Sequence, residues 1–133
     1  MKDNNATNIE VMTDFALEIE DKSTFINVLI KHDYYSTDND NGRLLLDSFL
    51  DGLILISDKI SNIIVVDSAV KLLDTSDKLN TLITLADNTF ICSDSIDYYN
   101  VVTTELNNSR IHIIPRSDIT DQIIYLKPDI IIE

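Results

Sequence analysis

Apolar and polar residues alternate along much of this chain. The stretch "DFALEIE" places Phe15, Leu17 and Ile19 on one side and Ala16, Glu18 and Glu20 on the other, the period-two pattern of a half-buried strand. "TFINVLIKH" follows after Asp21-Lys22, with Ile26, Val28 and Ile30 alternating, so the two segments read as a hairpin. "RLLLDSFL" and "LILIS" flank Asp51-Gly52, a dipeptide suited to a tight hairpin turn. A helix from Arg43 to Leu50 is the competing reading there. "NIIVVDSAVKLL" is β-branched and is expected to bend near Ser68. "LNTLITLADNTFICS" reads as a hairpin with Asp87-Asn88 at its tip, and "RIHII" and "QIIYLKPDIIIE" read as closing strands. Pro115 and Pro128 fall at strand ends or edges, where a missing N–H does no harm.

One segment departs from this pattern. "SDSIDYYNVVTTEL" spaces Ile96, Tyr99, Val102 or Thr103, and Leu106 as a helix does, and Ser93 or Ser95 suits its start. The sequence therefore predicts a mainly β domain, with α+β as the broader possibility. Its expected form is an antiparallel, hairpin-rich sandwich or partly open barrel, with one packed helix near residues 95–106. Residues 1–8, "MKDNNATN", read as an arm that is flexible or bound to a partner, and residues 9–133 as a single β-rich domain.

The loop "YYSTDNDNGRLLLD" invites a calcium-site reading, but its spacing argues against one. Placing Gly42 at the sixth position of an EF-hand loop puts Thr37 first and Ser48 twelfth, so two carboxylate ligands are missing. Asn41-Gly42 suits a type I′ turn better. The two glycines, Gly42 and Gly52, are isolated, so no phosphate-cradling loop is expected.

Composition narrows the function. At 133 residues with 44% apolar content, the chain suits one ordinary core. No apolar run reaches the length of a bilayer span, and the start has no apolar signal segment. The expected setting is a cytoplasm, or a particle assembled in one. The net charge of −13 opposes binding to nucleic acid and to anionic membranes. Of the 23 acids, 18 are Asp, a residue that favours turns over helix interiors. Cys92 lies in an apolar run and reads as a small core residue. His32 and His112 have no ligand partners at metal spacing.

Paired acids such as Glu18 with Glu20 and Asp38 with Asp40 read as solvated faces. No catalytic residue, cofactor or metal site is expected. Tyrosine is enriched at protein interfaces, which makes Tyr34, Tyr35, Tyr98 and Tyr99 candidate contact residues. Ile130 and Ile132 join them, because "DIIIE" carries apolar side chains on both faces of any strand it forms. The expected function is a non-enzymatic interaction or structural protein, a structural or accessory component of a phage or viral particle. It would work within an oligomer or larger assembly, through protein partners with neutral or basic surfaces. The alternative is an acidic inhibitor that mimics nucleic acid and blocks a basic enzyme.

Overall fold

A computed structural model of the chain describes residues 25–103, 106 and 108–133. Five short strands form one sheet: β1 (Ile26–Ile30), β2 (Ile60–Val65), β3 (Asn88–Cys92), β4 (Ile111–Ile114) and β5 (Ile130–Ile132). Their order is β4-β3-β2-β1-β5, and every neighbouring pair is parallel. Between the strands lie α1 (Asp40–Leu55), α2 (Leu72–Thr75), α3 (Asp77–Leu85), α4 (Ser93–Tyr99) and α5 (Arg116–Leu126). Two short 3₁₀ turns, Ser57–Lys59 and Asp67–Lys71, complete the chain path.

β1 and β2 are rich in Ile, Leu and Val and bury residues on both faces, Val28, Leu29 and Ile30 in one and Ile63, Ile64 and Val65 in the other, as parallel strands inside a sheet do. Helix α1 starts at Asn39, whose side chain accepts the Gly42 N–H at 2.8 Å. Gly42 is required there: a Cβ would lie 1.8 Å from the Thr37 carbonyl oxygen. Leu46, Leu50 and Leu53 of α1 then face the sheet. In α3, Ser76 caps the Leu79 N–H at 3.1 Å, and Leu79, Leu82 and Ile83 are buried. Lys78 joins α3 to α1 through Asp47 and Asp51.

The topology divides the core in two. From β1 to β4 each crossover steps one strand in the same direction, whereas the β4-to-β5 connection returns across the whole sheet. Crossovers of uniform hand place helices on opposite faces when the direction reverses. Accordingly α1, α2, α3 and α4 bury one face, against Val28, Ile30, Ile63, Val65 and Ile91. Helix α5 lies on the other, with Ile119 among Leu29, Ile64 and Cys92. Each fully buried Ile or Leu contributes about 1.5–3 kcal/mol. The second face also carries a polar seam: Asn62 donates to Asn27 at 2.9 Å, and Asn27 donates to the Leu126 carbonyl at 3.1 Å.

The mainly β, antiparallel expectation is overturned: the sheet is entirely parallel and the structure is 52% helix. The hairpin at Asp51-Gly52 is the interior of α1, where Gly52 is exposed with open space around its Cα. Asn41-Gly42 is the first turn of the same helix. The hairpin at Asp87-Asn88 is a helix-to-strand turn between α3 and β3. "QIIYL" is helical and only Ile130–Ile132 form the closing strand. The helix expected near 95–106 runs from Ser93 to Tyr99 and stops at Asn100, in left-handed geometry at φ 55°. β1 is flanked by β2 and β5, and the partner strand expected for it, around Phe15–Ile19, lies outside the described residues, as does the 1–8 arm.

Candidate ligand crevice

Parallel α/β sheets place ligands beyond the carboxyl ends of their strands, where adjacent connections leave toward opposite faces. Here that point lies between β3 and β4. After Cys92 the chain turns into α4 on the first face, and after Ile114 it turns into α5 on the second. A crevice of about 460 Å³ opens there.

Its apolar floor is made by Val66, Cys92, Ile119 and Ile123. These side chains belong to the core that α5 makes with the second face. Cys92 is the last residue of β3 and is buried, so it contributes apolar surface as the sequence implied. The rim is polar. Asp94 accepts the Arg116 backbone N–H at Oδ2, 2.7 Å away, and its Oδ1 lies 3.8 Å from Arg116 Nη2. Tyr98 and Tyr99 form one wall, with rings edge to face and centroids 4.8 Å apart.

Asp67 is the pivot of the site. It follows β2 with φ 52°, a left-handed conformation that Asp tolerates better than most residues. Its N–H donates to Ser95 Oγ at 2.9 Å, and its Oδ1 accepts the Tyr99 hydroxyl at 3.0 Å. Burial first, and then this hydrogen bond, hold the Tyr99 pKa above its ordinary value of 10.0. Ser95, expected as a helix cap, is thus used to hold the neighbouring loop.

A polar cluster extends from Asp67 toward β1. His32 Nδ1 lies 3.9 Å from Asp67 Oδ2 and 3.4 Å from Ser68 Oγ. The His32 ring stacks on Tyr34 at 4.8 Å. Ser68 Oγ accepts the Asp33 N–H at 3.2 Å, and Lys71 pairs with Asp33 at 3.2 Å. Ser68 and Asp67 both approach the same nitrogen of His32. A serine–histidine–aspartate relay needs them on opposite ring nitrogens, so the three do not form that relay.

The residues singled out as contacts are scattered. Tyr34 is half-buried against His32, and Tyr35 packs on Phe49 at 4.7 Å. Tyr98 is 78% exposed, whereas Tyr99 is half-buried by its bond to Asp67. Ile130 packs beside the core, Ile132 lies within it, and Ile131 between them faces outward. His112 sits on the edge strand β4, 3.1 Å from Asn88 Oδ1. Of the tyrosines and isoleucines named from sequence, only Tyr98 and Tyr99 meet at the crevice. Asp67, Asp94, Arg116 and Ile119 were missed. For Asp67, Asp94 and Arg116 the signal was an acid or a proline within two residues of the end of an apolar run, which marks where a parallel strand hands over to a helix; Ile119 carried none.

No grouping of His, Cys, Asp and Glu suited to a metal ion occurs among the described residues. No helix among them is long and apolar enough to cross a membrane. No protein-family model, curated protein or solved structure matches the chain.

Proposed function

We propose that this protein is a non-enzymatic binding domain that takes a small organic molecule in the crevice between α4 and α5. The observation that carries the reading is positional: the crevice opens where β3 and β4 send their helices to opposite faces. Its volume of about 460 Å³ lies within the range of small-molecule sites, and an apolar floor with a few polar groups at the rim is their usual composition.

A ligand-observed NMR fragment screen tests this, run on the wild type and on Thr120→Trp. Thr120 is an exposed residue on the crevice wall, so the indole fills the space without disturbing the core. Hits should bind the wild type and be lost in the variant. Hits that bind both equally would place the ligand elsewhere and defeat the reading.

A second reading, a component of a protein assembly such as a viral particle, draws on different residues. Ile124 and Tyr125 of α5 are 72% and 80% exposed, and exposed apolar side chains suit a partner surface. Ile124→Asp together with Tyr125→Asp should then abolish capture of that partner while leaving the crevice ligand bound.

A further inference from the structure

We propose that the ligand of the crevice is a small organic cation, an amine carried on a compact apolar or aromatic body. This rests on the crevice being a ligand site and specifies the chemistry that it selects.

The floor sets the body. Val66, Ile119 and Ile123 offer no side-chain hydrogen-bonding group, so a polar group placed there would lose its water without replacement. An apolar or aromatic group loses nothing and gains burial. Tyr98, exposed at the wall, presents an aromatic surface to whatever enters, and a cation over an aromatic face is favoured. Lys71 already makes such a contact in this region, with Nζ 5.2 Å from the Tyr99 ring centroid.

The rim sets the charge. Asp67 Oδ1 is taken by Tyr99, whereas its Oδ2 is 3.9 Å from His32 Nδ1, beyond hydrogen-bond range. Asp94 Oδ2 is taken by the Arg116 backbone, whereas its Oδ1 is 3.8 Å from Arg116 Nη2. Each carboxylate therefore keeps one oxygen able to accept from an ammonium group. The Arg116 side chain is 77% exposed. An anion approaching it would compete with Asp94 and would meet the field of a chain with net charge −13.

Phosphate, the group most often held at such a switch point, is disfavoured by the backbone as well. Both glycines lie in α1, so no glycine-rich turn follows β3 or β4 to let a phosphate approach the chain. The first amide of α5, which would face such a phosphate, is already used by Asp94.

Three compounds sharing one aromatic body separate the possibilities: phenethylamine, phenethyl alcohol and phenylpropionate. Each is titrated at neutral pH into isotope-labelled full-length protein, and backbone amide shifts are followed. The amine should shift Asp67, Ser95 and Ile119 and bind about tenfold or more tightly than the carboxylate. Asp67→Asn and Asp94→Asn should each weaken the amine several-fold more than they weaken the alcohol. Asparagine retains an acceptor oxygen, so the capping of α5 survives the second change. If the alcohol or the carboxylate binds as tightly as the amine at these same amides, the cation assignment is wrong and the crevice reading stands. If none of the three shifts these amides, both fail.

Discussion

Asp94 and Arg116 join the two turns that frame the crevice, through the Arg116 backbone N–H donating to Asp94 Oδ2 at 2.7 Å. One residue follows β3 and the other follows β4. The bond also does the work of a helix cap. Helix α5 is preceded by Pro115, which makes no side-chain capping bond, so an orphan amide of its first turn is satisfied by a carboxylate from another element. Negative charge at a helix start is favoured by the helix dipole too.

Asp94→Ala should therefore cost about 0.5–2 kcal/mol, the range for loss of an N-cap. Asp94→Asn, which keeps an acceptor, should cost less. Urea unfolding of both variants reads the difference. Equal losses would mean that the oxygen is not serving as a cap.

The two glycines make opposite predictions. Gly42 is buried with the Thr37 carbonyl 1.8 Å from where a Cβ would sit. Gly42→Ala should then destabilise by about 1–3 kcal/mol, as forced overpacking does. Gly52 lies in the same helix, exposed and with nothing within 4 Å. Gly52→Ala should stabilise by about 1 kcal/mol through helix propensity alone. Both are measured by denaturant midpoint. A loss at Gly52 would restore the turn that its sequence suggested.

Tyr99 supplies a pH test. Burial and the bond to Asp67 hold its pKa above 10.0. A group raised on folding stabilises the fold below its ordinary value, and that contribution is lost as pH rises through the folded value. Alkaline titration followed by carbon-13 NMR should show Tyr99 ionising above its ordinary value. Asp67→Asn should bring it part of the way back, because burial, the larger cause, remains. An unchanged Tyr99 titration in that variant would break the proposed link between the two residues.

The strands were more legible than their arrangement. "NVLI", "NIIVV", "TFIC" and "IHII" read as strands from their Ile and Val content, and all four are strands. Their parallel pairing is not legible in the same way, because two-residue turn signals such as Asp51-Gly52 suggest hairpins between neighbours, whereas here that dipeptide lies inside α1. Leu79, Leu82, Ile83 and Ala86 have helical spacing and are all buried, yet "LNTLITLAD" also alternates well enough to pass for a strand. The aspartates misled for a specific reason. Asp40, Asp77, Asp94 and Asp118 stand in first turns of helices, where the dipole favours the charge that would be unfavourable farther along. The crevice was hidden for the same cause. Its parts come from the ends of β2, β3 and β4, and only the parallel order brings them together.

The opening between α4 and α5 is proposed as a ligand site. Crystals soaked with the strongest hits from the fragment screen test it most directly, because density locates the bound molecule. The expected result is a molecule in contact with Cys92, Ile119 and Ile123, with its polar group toward Asp67 or Asp94. Hits that settle consistently on another surface, with this crevice filled only by water, would contradict it.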